Sequence, residues 1–179
     1  IPVAGEQIAN DIAMALRTPS SEAEGVKLRH GVAMHQMADP EEMIEVPGVG
    51  DRPPRKLSRQ ALADVIEPRV SELFELVQAE LRRSGYEELL SSGVVLTGGS
   101  AVMRGMAELA EDVFHMPARV GAPQYDGGLA DVVCQPRYST AMGLVMEGAA
   151  QRRRGLQARE TRSVKQIFGR MKSWFERNF

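Results

Sequence analysis

The sequence predicts an α/β fold in which short strands alternate with helices. The first observation is a short, continuous apolar run, Val94-Val95-Leu96, which is typical of a buried parallel strand. The second is that stretches with apolar residues at helical spacing precede and follow this run. Strands that alternate with helices favour a layered arrangement of helices on a sheet. With 179 residues, 43% of them hydrophobic, the chain is long enough to bury such a core.

The first two predicted elements are helices. Glu6–Leu16 has apolar residues at helical spacing, and Pro19 ends this helix because the residue before a proline is pushed out of the α region. A capping box, with Ser21 at the N-cap and Glu24 three positions later, predicts a second, short helix that ends near His30.

A strand, a turn and a long helix are expected next. Met43–Val46 alternates apolar and polar residues like a half-buried strand, and residues 47–54 have the proline and glycine content of a hairpin connection. Ser58 is predicted to cap a long helical stretch with one apolar face. Pro68 falls inside this stretch and is expected to kink the helix or to divide it in two.

The remaining elements follow the apolar run at Val94–Leu96. Thr97–Ser100 is expected to turn the chain from this strand into a helix that runs to about Phe114. Residues 118–121 predict another short strand, and a helix from about Ser139 to Ala149 closes the globular part, residues 1–150.

Composition excludes several classes of protein. Cys134 is the single cysteine, so a secreted scaffold held by internal disulfides is excluded, and the three histidines show no zinc-ligand spacing. No run of 18 apolar residues would span a bilayer, and the first residues lack the pattern of a signal peptide. A reducing cytoplasm is therefore expected, and no catalytic or metal-binding residues are predicted.

Charge is unevenly distributed along the chain. Residues 151–179 carry nine basic and two acidic side chains, whereas the first 150 residues carry 13 basic and 22 acidic ones. A basic tail on an acidic body indicates an anionic partner, either a nucleic acid or a lipid surface. Residues 151–162 are polar and basic without periodicity and are predicted to form a flexible linker.

Residues 163–179 predict an amphipathic helix. Its apolar residues share one face and the charged residues lie opposite. This face consists of Val164, Ile167, Phe168, Met171, Trp174, Phe175 and Phe179. One alternative is that the face packs on the protein's own core; another is that the basic tail binds nucleic acid, which would not need the apolar face. Bulky apolar residues behind a basic linker favour a reversible membrane anchor.

Two further patterns are candidate ligand sites. At Leu96–Ser100, a strand followed by two glycines lets a ligand approach bare backbone, and a tight turn without a ligand explains the same residues equally well. On the second helix, Glu24 and Lys27 lie three residues apart and share a face. They are suited to contact a ribose and a purine, but spacing alone favours an exposed ion pair.

Taken together, these segments resemble the FtsA family of actin-like cell-division proteins along the whole chain. The resemblance rests on residues 1–13, 19–31, 46–55 and 65–69, on Leu96-Thr97-Gly98-Gly99-Ser100, and on the amphipathic tail. Ala9 departs from the family, which often has Thr there. The resemblance implies the second half of the actin-like ATPase fold, with subdomain 2A interrupted by subdomain 2B at roughly residues 20–90, followed by the linker and a membrane-targeting helix.

The resemblance also implies a nucleotide. In this fold ATP with Mg²⁺ lies in a cleft between two halves, and the phosphates and the metal are held mostly by loops that precede the residues of this sequence. The positions expected on the adenosine side are Glu24 and Lys27, beside the ribose and the base, and the backbone of Gly98, Gly99 and Ser100. Tight ATP binding by this chain alone is therefore not expected.

The function that the resemblance implies is an ATP-binding scaffold of the division septum with at most weak ATPase activity. It would self-associate into filaments at the cytoplasmic face of the inner membrane and bind anionic lipids through the tail. Arg69 and Glu72 in subdomain 2B would bind the C-terminal tail of FtsZ, because a basic residue can pair with peptide carboxylates. An exposed Arg69–Glu72 ion pair is the alternative there. No nucleic-acid partner is expected, and the alternative function is an ATP-dependent, sugar-kinase-like enzyme of the same superfamily.

Overall fold

The computed structural model of the protein describes residues 5–50 and 52–155. Its helices are α1 (Gly5–Leu16), α2 (Ser20–His30), α3 (Arg59–Ser84), α4 (Met106–Phe114), α5 (Ala130–Val133) and α6 (described over 139–155). Its strands are β1 (Met43–Val46), β2 (Arg55–Ser58), β3 (Val94–Leu96) and β4 (Ala118–Val120). Short 3₁₀ turns lie at His35–Met37, Glu87–Leu89, Ser100–Val102 and Pro136–Tyr138.

The strands form two small sheets of different type. β1 and β2 are an antiparallel hairpin in which Met43 lies opposite Ser58, as the predicted connection at residues 47–54 requires. β3 and β4 are parallel, with Val94 opposite Ala118, and α4 lies on the connection between them. The alternation of helices and strands confirms the predicted α/β fold.

The core lies where the first four helices meet. α1 packs on α2 and α3, and α3 packs on α4. The largest fully buried side chains come from these helices and from the segments beside them: Ile8, Ile12, Val26, Val32, Val46, Leu62, Ile66 and Val70. The rings of Phe74 and Phe114 join α3 to α4 with centroids 5.5 Å apart. This packing fixes the ends of α1 and α2 that border the candidate site.

The long helix α3 begins as predicted. Ser58 Oγ accepts a hydrogen bond from the backbone N–H of Ala61 at 3.2 Å and is the N-cap. Pro68 does not divide the helix. Ile66 and Val70, on either side of the proline, are fully buried, so tertiary packing holds both parts of the helix against the core.

The capping box predicted for α2 is wrong. The helix begins at Ser20 with Pro19 at the N-cap, and no side chain accepts a hydrogen bond there. The carbonyl of Pro19 instead accepts hydrogen bonds from the N–H groups of Glu22 and Ala23 at 3.0 and 2.9 Å. These bonds close the first turn of a helix that begins before Ser21, so Ser21 lies inside the helix and is not its N-cap.

Two predictions around β3 are also wrong. The chain does not enter a continuous helix after Thr97–Ser100: a single 3₁₀ turn is followed by Gly105, and α4 begins only after it. Gly105 has a φ of 87°, in the left-handed region, which interrupts a right-handed helix. β3 itself is not buried, since Val95 is 52% exposed. Within the described residues β3 pairs with β4 alone, and Val95 borders an open cleft between this sheet and α6.

Residues 151–155, predicted to belong to a flexible linker, are helical and continue α6. Gln151 Nε2 donates to Glu147 Oε1 at 3.2 Å, and Arg154 pairs with the same carboxylate at 3.7 Å, so side chains one and two turns apart support the helix. Residues 156–162 and the tail helix, with all seven residues of its apolar face, lie outside the described residues. The tail and the boundaries of subdomains 2A and 2B stay predictions.

Candidate functional site

An open groove of about 780 Å³ lies between the start of α1, one face of α2 and the turn that follows β3. Four of the five residues predicted on the adenosine side line it: Glu24, Lys27, Gly99 and Ser100. The volume is that of a typical small-molecule site. The structure therefore brings together two sequence patterns that are about 70 residues apart along the chain.

Lys27 is the most constrained polar side chain of the groove. It is only 6% exposed, and its Nζ donates to the Gly5 carbonyl at 2.9 Å and pairs with Glu24 at 2.6 Å. A buried ammonium group needs such partners, because burying an unpaired charge is costly. The predicted ion pair between Glu24 and Lys27 is present, but it is not fully exposed, because Lys27 is buried. Through the Gly5 carbonyl, Lys27 also links the start of α1 to α2.

Gly99 and Ser100 form an accessible backbone edge of the groove. A Cβ added to Gly99 would have no neighbour within 4 Å, so the space above this backbone is open. A Cβ added to Gly5 would overlap Ser100 Oγ, which shows how closely α1 approaches this turn. Gly98, the fifth predicted residue, does not line the groove. Its φ of 98° requires glycine, and its N–H donates to the Pro136 carbonyl at 3.0 Å.

The groove carries an excess of positive charge. Its lining includes two acidic residues, Glu6 and Glu24, and five basic ones, Lys27, Arg29, Arg59, Arg104 and Arg137. Two of the basic residues are held by partners within the protein: Lys27, and Arg59, which donates to the His30 carbonyl at 2.9 Å and pairs with Glu42 at 2.7 Å. The remaining charge favours an anionic ligand.

Several groove residues were missed by sequence reasoning. Gly5, Arg59 and Arg137 come from three distant segments, and none belongs to a local pattern that indicates a ligand. Their proximity depends on the packing of α1, α3 and the 3₁₀ turn that precedes α6. No periodicity or motif in the sequence could have identified them.

Arg69 and Glu72, predicted for peptide binding, lie together at a second, shallower cleft of about 340 Å³ between α1 and α3. Arg69 pairs with Glu72 through Nη1 and with Asp11 through Nε and Nη2, and Nη2 lies 3.1 Å from Asp11 Oδ1. The hydrogen bond to Asp11, with the charge of both carboxylates, raises the pKa of Arg69 above its ordinary value. Asp11, which sequence reasoning missed, makes this a three-residue network. Met14 is 71% exposed and gives the cleft an apolar side.

Two further properties concern only the described ranges, residues 5–50 and 52–155. No helix there has both the length and the apolar character to cross a lipid bilayer. In the same ranges, no three His, Cys, Asp or Glu side chains are grouped in a way that could hold a metal ion.

The fold is similar to that of MreB proteins of known structure. MreB5 of Spiroplasma citri bound to ADP aligns with a TM-score of 0.58 and 19% identity, over 84% of this chain and 47% of the MreB chain. The same protein bound to AMPPNP aligns with the same TM-score over 85% of this chain. This likeness confirms the actin-like fold expected from the sequence.

Proteins found by sequence comparison share a higher identity with this chain than the MreB structures do. Residues 1–143 match the family described as "Cell division protein FtsA". The protein of that name from Pseudomonas aeruginosa is 53% identical over 186 residues, and the one from Escherichia coli K12 is 44% identical over 189 residues. Both matches cover this whole chain, which spans 45% of each relative's length. The Bacillus subtilis protein is 41% identical over 81% of this chain and 32% of its own length. The chain therefore belongs to the FtsA family of cell division proteins.

Proposed function

We propose that this chain forms the adenosine-binding wall of an ATP site in an actin-like scaffold of the division septum. The observation that carries the proposal is that Glu24, Lys27, Gly99 and Ser100 line one groove. The excess of basic side chains there suits an anionic ligand, and the open backbone at Gly99 lets a nucleoside approach closely. The phosphates and Mg²⁺ would be held mostly by the part of the longer relatives that this chain does not span.

The groove residues would divide the recognition of the nucleoside between them. The Glu24 side chain is 46% exposed and can accept hydrogen bonds from ribose hydroxyl groups. Lys27 orients this carboxylate and holds the start of α1 in place through the Gly5 carbonyl. The backbone at Gly99 and Ser100 would lie against the nucleoside. This half of the site is expected to bind with a Kd of about 1 mM, equivalent to roughly 4 kcal/mol.

Nucleoside binding can be tested by NMR titration of the ¹⁵N-labelled chain with adenosine and with ADP. Both ligands should shift the amide signals of Lys27, Gly99 and Ser100. Glu24→Ala should weaken binding, because the ribose loses its acceptor, whereas Glu22→Ala is a matched control: an exposed glutamate on the same helix that does not line the groove. Signals that do not move, or an equal loss in both variants, would contradict the proposal.

The second part of the proposal is that the tail holds the protein at the cytoplasmic face of the inner membrane. Its support is the sequence pattern: an apolar face of seven residues backed by basic side chains. Insertion of these side chains at about 1 kcal/mol each would outweigh several kcal/mol for ordering the segment. Self-association into filaments would place many tails at the membrane together and strengthen binding through avidity.

Membrane binding can be tested by sedimentation with anionic vesicles. The variant Trp174→Glu/Phe175→Glu removes two apolar side chains, and the control Gly169→Glu/Ser173→Glu adds the same charge to the polar face. Because both variants add two negative charges, the loss of about 2 kcal/mol of insertion should make the first bind at least roughly 30-fold more weakly than the control. Equal binding by the two variants would refute an anchor based on the apolar face.

The third part is that the cleft at Arg69 and Glu72 binds the C-terminal tail of FtsZ. Its support is that both predicted residues line one cleft and that Arg69 presents a charged guanidinium beside an apolar wall. Fluorescence anisotropy with a labelled FtsZ tail peptide tests this. Arg69→Glu should abolish binding, whereas Arg83→Glu is a control, since Arg83 forms a similar pair with Glu80 on the same helix. Binding that survives Arg69→Glu would exclude this cleft.

A further inference from the structure

The 3₁₀ turn Pro136–Tyr138 places a basic side chain on the candidate nucleotide groove. Arg137 lines the groove from this turn, and the turn contacts Ser100–Val102, the 3₁₀ turn that follows β3. Arg137 belongs to none of the sequence patterns that predicted the groove. It reaches the groove only because the turn after α5 is held against the end of β3.

Thr97 and Gly98 hold this turn. Thr97 Oγ1 lies 3.2 Å from the Pro136 carbonyl oxygen, 3.1 Å from the Gly121 carbonyl oxygen and 2.5 Å from Ser139 Oγ. The N–H of Gly98 donates to the same Pro136 carbonyl at 3.0 Å. These contacts hold the chain on both sides of Arg137, at Pro136 immediately before it and at Ser139 two residues after it. Neither Thr97 nor Gly98 lines the groove itself.

The side chain of Arg137 is available for a ligand. Within the part of the chain that the structure describes, its guanidinium forms no ion pair and no hydrogen bond, and the residue is exposed. Lys27 and Arg59, by contrast, are engaged by carboxylates and backbone carbonyls of the protein. An unpaired guanidinium can bind phosphate oxygens in a fork or stack on a purine.

We infer that Arg137 contacts the bound adenine nucleotide and that Thr97 is the positioning residue that holds it there. This inference rests on the proposed nucleotide site. It gives the Thr97-Gly98-Gly99 motif two roles: Gly99 leaves space for the ligand, while Thr97 and Gly98 fix the turn that carries Arg137. Loss of the Thr97 hydroxyl would remove its contacts with Ser139 Oγ and with the Gly121 and Pro136 carbonyls, and of these only the Pro136 carbonyl would keep a donor among the described residues, the N–H of Gly98.

The test is a double-mutant cycle, read out as the Kd for ADP and for adenosine in the NMR titration of the full 179-residue chain. Arg137→Ala should weaken binding about threefold, which is the size expected for an exposed charged contact. Thr97→Val should weaken binding by a similar factor, whereas Thr97→Ser keeps the hydroxyl and should bind like the parent chain. In a chain that already carries Arg137→Ala, Thr97→Val should weaken binding no further. Arg119→Ala, an exposed arginine on β4 outside the groove, is the control.

The outcomes separate the inference from the function on which it rests. If the parent chain shows no binding at Gly99 and Ser100, both the proposed site and the inference are wrong. If the parent binds and Arg137→Ala binds equally well, the inference alone is overturned. If Thr97→Val weakens binding to the same extent with and without Arg137, Thr97 acts only through general stability and is not a positioning residue. A loss confined to ADP assigns the contact to the phosphates, and an equal loss for adenosine assigns it to the nucleoside.

Discussion

Among the glycines of the described residues, Gly93 is the one at which substitution by alanine should lower the free energy of unfolding the most. It precedes β3 with a φ of 81°, and a Cβ there would lie 2.9 Å from the carbonyl carbon of Pro117 and closer still to its oxygen. Gly93→Ala incurs about 1–2 kcal/mol for the left-handed backbone. It must also push Pro117 away, which breaks the Val94 N–H hydrogen bond to that carbonyl and adds roughly 2–3 kcal/mol. The total is about 3–5 kcal/mol.

Gly85 supplies a matched control for this prediction. It has a similar φ of 75°, but a Cβ there would have no neighbour within 4 Å, so Gly85→Ala should cost only the backbone term of about 1–2 kcal/mol. Urea unfolding followed by circular dichroism measures both. With an m-value of roughly 2 kcal/mol per molar urea, the Gly93 variant should unfold about 1 M earlier than the Gly85 variant. Equal midpoints would show that β3 and Pro117 are not as close as the structure places them.

Three further substitutions test other contacts. Lys27→Met keeps the buried stem but removes the hydrogen bond to the Gly5 carbonyl, and it should lower the free energy of unfolding by about 2 kcal/mol in urea titrations; an unchanged midpoint would contradict the buried contact. Ser58→Ala removes the N-cap of α3 and should cost about 1 kcal/mol in the same assay, whereas no loss would mean that the cap is dispensable. Gly5→Ala should weaken adenosine binding by displacing Ser100 Oγ into the groove, and Ser100→Ala in the same chain should restore it; failure of this rescue in NMR titrations would show that the overlap is not the cause.

Local patterns predicted the elements that are stabilised by their own residues. The apolar spacing of α1, the alternation of β1 and the cap at Ser58 each act over a few residues, and each is present in the structure. The failures have tertiary causes. The helix α2 begins at Ser20 and its first N–H groups bond to the Pro19 carbonyl, so Ser21 is not a cap, and α3 continues through Pro68 because its neighbours are buried.

The candidate site was predictable only where two residues lie on one element. Glu24 and Lys27 share a helix face, so their pairing could be expected from spacing, but the burial of Lys27 could not, because it depends on the position of Gly5. The Gly98-Gly99 pair was expected to act as one unit, yet the two glycines differ in role. Gly98 bonds to Pro136 and Gly99 borders the groove, a distinction set by a turn about 40 residues later in the chain.

The two candidate surfaces differ in whether their cations already have partners, and this difference bears on which ligand each can bind. At the cleft, Arg69 is held by Asp11 and Glu72, so a peptide carboxylate gains a full contact only by displacing a carboxylate of the protein. Such competition lowers affinity but raises selectivity, since a ligand must also use the apolar wall beside Met14. At the groove, Arg137 has no internal competitor among the described residues, and an anionic nucleotide bound there, as we propose, would meet its charge directly. The groove is thus suited to attract any nucleotide-like anion, whereas the cleft is suited to reject acidic ligands that lack a matching apolar group.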